Sequence, residues 1–461
     1  MVTSMGRIFG TDGARGVANT EISCDLAMDI GRALAMVLTE KSDKRPKVLI
    51  GRDTRISGDM LESAVAAGLC SVGANAVLLG VVPTPAIAHL VRELHADAGV
   101  MLSASHNPFE YNGIKIFGSG GLKLRDEQEF EIEELVLDHK APFTIQWGAH
   151  IGRVSRDERA VQKYIDHLAA TVPEGLSGLR VALDCSNGSA SRTAESLFTR
   201  LGAEVTIFSA APDGININDG CGSTHIEALQ ELVRGGDFDC GFAFDGDADR
   251  CLAVSAEGEL VDGDRIIALL AKDLKECGKL LGNTAVVTVM SNLGFHKFCE
   301  QTGIRAEITK VGDRYVLENM LENGYMIGGE QSGHVILREH MTTGDGQLTA
   351  LHVMAVMKRT GKSLGELASV MQVFPQVTLN VRADPYMKSH LELDDGVVRK
   401  VAEHRERLGD SGRVLVRVSG TEPLIRVMIE GQDEEYIEAA AKDIADTIKE
   451  RLGNNESDKG L

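Results

Sequence analysis

The 461-residue chain has no apolar run long enough to span a bilayer, no charged leader followed by a long apolar stretch, and no Cys-x-x-Cys pair. These absences argue against a membrane anchor and an export signal, and they point to the cytoplasm. The eight cysteines are scattered, several inside apolar runs such as LDCSNG and DCGFAF, and read as buried reduced thiols. No G-x-x-x-x-G-K-[ST] occurs, since the one GKS at Gly361 lacks the first glycine, and no G-x-G-x-x-G exists. A nucleotide-dependent kinase or dehydrogenase is therefore disfavoured. A serine hydrolase likewise lacks its G-x-S-x-G elbow. Positive charge is short, with 48 Lys and Arg against 68 Asp and Glu, a formal net charge of −20. So acidic a chain repels nucleic acid and anionic membrane, and neither is expected as a partner. An anionic substrate must then be met by a local cluster of Arg and Lys.

Prolines number only 10 and glycines 50, which predicts many tight turns and close backbone approaches rather than disorder. The length calls for three or four domains. Short β-branched runs alternate with amphipathic segments, the pattern of βαβ units, and their order recurs three times. Each copy opens with a strand entering a polar loop: KVLIGRDTRISG from Lys47, RVALDCSNG from Arg180, AVVTVMSNLG from Ala285. A helix follows, then a second strand after Gly73, Gly202 or Gly303, glycines placed to cap a helix in the left-handed conformation. A third apolar strand then runs into SASHNP (Ser103 to Pro108), DGDADR (Asp245 to Arg250) or GEQSGH (Gly329 to His334). Loops at the carboxyl ends of sheet strands are where α/β proteins place ligands.

The reading is an α/β protein: three repeated mixed-sheet α/β domains plus a smaller C-terminal α+β domain around a central cleft. Its boundaries are 1–160, 161–260, 261–374 and 375–461. The last domain holds two strands around SGTEP, then an amphipathic helix with Ile437, Ile444, Ile448 and Leu452 on one face.

DGDADR sets Asp245, Asp247 and Asp249 at alternate positions, with Gly246 and Ala248 small enough for the carboxylates to converge. Such a cluster is costly without a cation, and hard oxygen ligands select Mg²⁺ or Ca²⁺. A calcium EF-hand fails because its sixth and twelfth positions are Arg250 and Ala256. A solvated acidic turn is the plain alternative. A serine before Asn-Pro is more often a turn or a cap than a nucleophile. Ser105 gains weight because its loop stands in the place equivalent to a metal loop, where a serine can carry a phosphoryl group.

In GEQSGH, Glu330, Ser332 and His334 suit hydrogen bonds to sugar hydroxyls, with His334 as an acid–base; a tight turn with a structural histidine suits them as well. RVSGTEPLIR supplies Arg417, Ser419, Gly420, Thr421 and Arg426, a clamp for a phosphate dianion or else an ordinary hairpin with exposed arginines. Arg15 of GTDGARG and Lys115 of YNGIKIF add cations.

Taken in order, GTDGARG, SASHNP, YNGIKIF, DGDADR, VGDRYV, GEQSGH and RVSGTEPLIRVMIE resemble the α-D-phosphohexomutase superfamily over nearly the whole chain. Ser103 stands where many relatives have Thr, which keeps a hydroxyl. The resemblance implies four domains around a central cleft, phosphorylation of Ser105, and one Mg²⁺ on Asp245, Asp247, Asp249 and a phosphoserine oxygen. It places Glu330 and Ser332 on the sugar, and Arg417, Ser419, Thr421 and Arg426 in the phosphate-binding loop around Gly420. Arg250 or Arg15 would meet charge on the transferring group, while Lys115 and His334 are unranked candidates for moving protons. The ligands are a sugar monophosphate and its 1,6-bisphosphate. The Gln331 form of the sugar loop, with CGSTH and RVMIE, is most similar to the bacterial branch that interconverts glucosamine 6-phosphate and glucosamine 1-phosphate, toward UDP-N-acetylglucosamine. Mannose and glucose phosphates are the nearer alternative, and a non-catalytic phosphosugar-binding protein the further one. Oligomeric state, a homodimer included, is left open.

Overall fold

The computed structural model describes residues 7–10, 12–39, 45–419 and 423–453. The chain divides into two compact units, Met1–Met290 with Thr302–Val370, and Ser291–Gln301 with Met371–Leu461.

In the first unit the repeat occurs three times with one topology. Lys47–Arg52 lies between Asn75–Val81 and Ala98–Leu102, parallel to both. Arg180–Asp184 lies likewise between Glu204–Phe208 and Cys240–Phe244, and Thr284–Thr288 between Arg305–Thr309 and Ile327–Gly329. Each third strand then turns back into an antiparallel fourth: Tyr111–Gly118, Cys251–Ser255 and Val335–Leu337. That fourth strand explains why the chemical loops are so well held. Each is a hairpin connection anchored in the sheet at both ends. Ala98–Leu102 and Cys240–Phe244 are buried at every position, as sheets covered on both faces require. Gly73, Gly202 and Gly303 have φ of +95, +88 and +63°, the left-handed values their positions predict.

The first sheet gains Phe9–Gly10, Gly13–Val17 and Val154–Arg156 and reaches seven strands. Gly13–Val17 pairs antiparallel with Tyr111–Gly118 and sets Arg15 opposite Gly113, two residues from Lys115. The helices Cys24–Thr39 and Gly58–Ser71 cross closely, because a Cβ on Gly68 would run into the Met28 carbonyl. The second repeat's helix is not continuous as its periodicity predicts. It splits into a 3₁₀ turn, Ser189–Arg192, and a helix, Ala194–Arg200. Ser189 N–H donates to Gly246 O at 2.8 Å, so the DGDADR loop claims the first turn.

A row of four histidines crosses this unit. His89 stacks on His167 at 3.9 Å, His167 Nε2 lies 3.2 Å from the His340 carbonyl, and the His340 and His352 rings sit 4.8 Å apart. Burial pushes all four below their ordinary value of 6.5, His89 to about 4 and His352 to about 3. Below pH 6.5 an unfolded chain takes up protons that these folded imidazoles refuse, so stability falls as pH drops through 6.5 toward 4 and 3. Urea midpoints measured from pH 7.5 to pH 4.5 should decline, and His352→Gln should flatten the slope. An unchanged slope in that variant would remove His352 from the account.

The second unit holds an antiparallel sheet with Leu424–Gly431 between Gln376–Arg382 and Gly412–Val418. Glu434–Leu452 covers it, burying Ile437, Ile444, Ile448 and Leu452 as their spacing predicts. The helix Leu293–Thr302 joins this unit for all but its last residue, although the expected domain 261–374 runs through it. Buried Glu430 is the reason. Its carboxylate accepts from Leu293 N–H at 3.1 Å, while the Asn292 side chain pairs with both N–H and C=O of Phe374. Arg413 Nε donates to Glu430 at 2.9 Å and balances its charge. Among the described residues all eight cysteines are free, and no helix is long and apolar enough to cross a membrane.

Candidate active site

Ser105 lies just past the strand Ala98–Leu102, 1% exposed, with φ of +51°. A non-glycine residue held there costs on the order of 1–2 kcal/mol, so something must hold it. The holder is Arg55, itself 1% exposed. Its Nη2 donates to Ser105 O at 2.9 Å and Asn107 O at 2.8 Å, and its Nη1 to Pro108 O and to Tyr111 O at 3.0 Å. Asp53 fixes the guanidinium through Nε at 2.8 Å and accepts from Ser103 Oγ at 2.6 Å, which in turn accepts from Ser105 N–H at 2.9 Å. Asn218 Nδ2 adds a second donor to Ser105 O at 2.9 Å. With its backbone so occupied, Ser105 points Oγ at Asp245 Oδ2, 2.5 Å away.

Asp245, Asp247 and Asp249 offer carboxylate oxygens all within 4.8 Å of one another, and all three side chains are buried. Gly246 permits the approach, since a Cβ there would stand 2.6 Å from Ser105 O. Burial, and then Asp249 and Asp247, push Asp245 well above the usual carboxylate range. Burial acts the same way on Asp247, but Lys115 overrides it and holds that carboxyl at about 2. Lys115 Nζ lies 2.7 Å from Asp247, 3.1 Å from Asp12 and 3.5 Å from Asp249. Burial opposes its charge, yet those three anions hold the ammonium above its ordinary range. Thr84, at the head of the helix Thr84–Glu93, donates through its hydroxyl to Asp247 Oδ2 and through its N–H to Asp247 O at 2.9 Å. Asp247 Oδ1 and Asp249 Oδ1 are buried without any hydrogen-bond partner. Orphaned carboxylate oxygens with no nitrogen or sulfur ligand beside them fit a hard divalent cation.

Arg250 and Arg15 flank this cluster. Arg250 Nη1 lies 3.3 Å from His106 Nδ1, which is 3.4 Å from Ser105 Oγ. Burial, then Arg250 and Arg15, push His106 down to about 4, so a neutral imidazole sits beside Ser105. Each arginine has a buried Nε without a hydrogen-bond partner, that of Arg250 lying 3.9 Å from Asp249 Oδ1. In the third loop, Glu330 Oε1 accepts from Gly312 N–H at 3.0 Å, Gln331 donates to Asp262 at 3.2 Å, and Ser332 is exposed. His334 is buried; its Nε2 lies 3.3 Å from Gly344 N–H and 3.5 Å from Asp313 Oδ2, and its Nδ1 has no partner. The third loop packs against the second, with Cys251 N–H donating to Gly333 O at 3.0 Å.

In the second unit Arg417 and Arg426 are directly opposed on adjacent antiparallel strands. Like charges so placed repel unless an anion lies near. Ser419 is buried at the end of the same hairpin, its carbonyl accepting from Lys388 Nζ at 3.0 Å. Gly420 and Thr421 lie outside the described residues.

The phosphoglucomutase/phosphomannomutase α/β/α domains I, II and III match residues 6–142, 162–258 and 262–374, and the family's C-terminal domain matches 378–447. The chain belongs to the phosphoglucomutase/phosphomannomutase family. A phosphoglucosamine mutase of Acetivibrio thermocellus is 52% identical over 449 residues, 97% of this chain and 100% of the relative. One from Clostridium perfringens is 53% identical over 445 residues, covering 96% and 99%. Among solved structures, a phosphoglucomutase/phosphomannomutase family protein of Burkholderia thailandensis superposes with a TM-score of 0.80 at 23% identity, over 97% and 98% of the two chains. An N-acetylphosphoglucosamine mutase of Aspergillus fumigatus, in complex with GlcNAc-6P and magnesium, gives 0.71 at 18%, over 97% and 96%.

Several residues that hold the site of this phosphoglucomutase/phosphomannomutase family member carry no chemical signal of their own in the sequence. Asp53 and Arg55 lie on a strand-end loop, Thr84 at the head of the helix Thr84–Glu93, Asn218 on an irregular segment, and Lys388 on the helix Pro385–His390. The charged run RDTR after a buried strand is the one hint, because charges there need partners.

Proposed function

We propose that the chain interconverts glucosamine 6-phosphate and glucosamine 1-phosphate through a phosphoryl group carried on Ser105. The observation that carries this reading is the Ser105 hydroxyl, held 2.5 Å from Asp245 at the edge of a buried carboxylate triad. The choice of sugar is supported by the two phosphoglucosamine mutases above and by Gln331 in the third loop. Asp245, Asp247, Asp249 and an oxygen of phosphorylated Ser105 would hold one Mg²⁺, which when bound supplies Lewis-acid neutralisation of the phosphoryl oxygens.

In the first half-reaction the bond from phosphorus to Ser105 Oγ breaks and a bond to the free hydroxyl oxygen of the bound monophosphate forms, yielding the 1,6-bisphosphate. His334, whose Nδ1 is unclaimed, takes the hydroxyl proton. Lys115 stays protonated among its carboxylates and meets the charge that develops, together with Arg15 and Arg250. After the bisphosphate turns, Ser105 Oγ takes the other phosphoryl group, the sugar oxygen it leaves takes back the proton from His334, and the isomer leaves. Glu330 and Ser332 hold sugar hydroxyls, and Arg417, Ser419, Gly420, Thr421 and Arg426 hold the phosphate that stays on the sugar. The activity belongs to the cytoplasm, where the eight cysteines stay reduced.

Turnover of glucosamine, glucose and mannose 6-phosphates, each with and without chelator, tests this. The glucosamine ester should be favoured by about 10-fold or more in kcat/KM, and chelation should stop turnover until Mg²⁺ returns. Faster turnover of glucose or mannose phosphate would reassign the sugar. No turnover of any, with binding retained, would make the chain a phosphosugar-binding protein.

A further inference from the structure

We infer that Asp12, Lys123 and Asp313 form a bridge of alternating charge that positions the Lys115 ammonium and the His334 base relative to one another; this rests on the phosphoryl-transfer reading above. Lys115 Nζ lies 3.1 Å from Asp12 Oδ2. The other oxygen of Asp12 accepts from Lys123 Nζ at 2.6 Å, and that ammonium donates again to Asp313 Oδ2 at 2.7 Å. The same oxygen of Asp313 lies 3.5 Å from His334 Nε2. Cation and anion alternate from the Lys115 ammonium to Asp313, which faces the His334 ring.

The bridge is assembled from segments far apart in sequence. Asp12 sits in the turn between Phe9–Gly10 and Gly13–Val17, Lys123 follows the strand Tyr111–Gly118, and Asp313 opens the helix Asp313–Asn323. A carboxylate there is favoured by the helix dipole. Two further contacts brace the bridge, one from the third repeat to the first and one within the third. Thr342 Oγ1 donates to Gly121 O at 2.6 Å beside Lys123, and Glu330 Oε1 caps Gly312 N–H beside Asp313. The Lys123 and Asp313 side chains are only 14% and 15% exposed, so water screens their charges weakly. Burial opposes the charge on Lys123, and Asp12 and Asp313 outweigh it.

The chemistry gives the bridge its purpose. Nε2 accepts from Gly344 N–H at 3.3 Å, and Asp313 beside it favours the other tautomer, in which Nε2 carries the proton and the Nδ1 lone pair is left for the substrate hydroxyl. When the ring gains a proton, Asp313 stabilises the imidazolium. Lys123 keeps Asp313 in place, and through Asp12 it also holds Lys115 by the carboxylates. None of the three needs to touch the sugar, so they are positioning residues.

The test uses Lys123→Met, Asp313→Asn, the double variant and Lys123→Arg in the full chain, with KM, kcat, unfolding midpoint and phosphoserine content measured for each. The substrate is whichever of the three hexose phosphates the unaltered chain turns over best, so a wrong sugar leaves the test intact. Each neutralising variant should lose about 10- to 100-fold in kcat, the scale for outer partners of a functional group, with KM changed less than about 3-fold. The double variant should fall no further than its worse parent, because both cut one chain. Lys123→Arg should recover most of the loss. A kcat indifferent to Lys123→Met and Asp313→Asn overturns the bridge, and so do losses that multiply in the double variant. Should Lys123→Met fold poorly, Asp313→Asn and Lys123→Arg carry the same comparison. No turnover of any hexose phosphate by the unaltered chain would instead sink the reading of the preceding section.

Discussion

Replacing Ser105 with alanine should abolish turnover, lowering kcat by roughly four orders of magnitude or more, as loss of a covalent nucleophile does. The hydroxyl faces Asp245 at 2.5 Å, and among the described residues the other hydroxyl on the triad is that of Thr84, which is bound to Asp247. The fold should survive. The donors that fix residue 105 act on its backbone, and alanine keeps both its N–H and its carbonyl. The informative readout is intact mass. The unaltered protein should carry one phosphoryl group that Ser105→Ala cannot carry. A variant that turns over normally, from a parent bearing no phosphoryl group, would end the covalent scheme.

Arg55→Met should be nearly as damaging, although Arg55 touches no reacting atom. The substitution keeps a long apolar stem but strips the donors from four carbonyl oxygens, those of Ser105, Asn107, Pro108 and Tyr111. It also leaves Asp53 buried beside Ser103 without its cation. Breaking a buried pair from one side typically costs about 3–5 kcal/mol, and the first unfolding transition in urea should move down accordingly. Ser105, no longer restrained at positive φ, should drift from Asp245; a displacement near 1 Å costs on the order of 100-fold in rate. Arg55→Lys should not rescue, because an ammonium cannot reproduce the planar fork. If Arg55→Met keeps both its unfolding midpoint and its kcat, the loop is held by Asn218 and Ser103 instead.

Much of the site was legible from composition and spacing. Ser105, Asp245, Asp247 and Asp249 follow buried strands in equivalent copies of a repeat, and the structure brings them together. The polar loops closing the first strands were visible too, but not their use. RDTR props up the serine loop, the segment at Gly188 and Ser189 braces Gly246, and Asn292 ties its helix to Phe374 and Glu430. Spacing could not disclose these roles, because each depends on a partner in another loop. In the third repeat the antiparallel fourth strand, Val335–Leu337, is only three residues long, too short for a period of two to show.

The sequence by itself determined the α/β repeat, the C-terminal helix face and the three polar loops that follow the third strands. Those features rest on the alternation of apolar and polar residues along neighbouring positions, which is written locally. Only the tertiary structure decided what holds Ser105 at positive φ, which unit receives Leu293–Thr302, and how Lys115 and His334 are joined. The longer of the contacts responsible link residues from 50 apart, as Arg55 to Ser105, to 190 apart, as Lys123 to Asp313. A buried charge must find its partner somewhere, but where that partner lies is set by how the sheets pack.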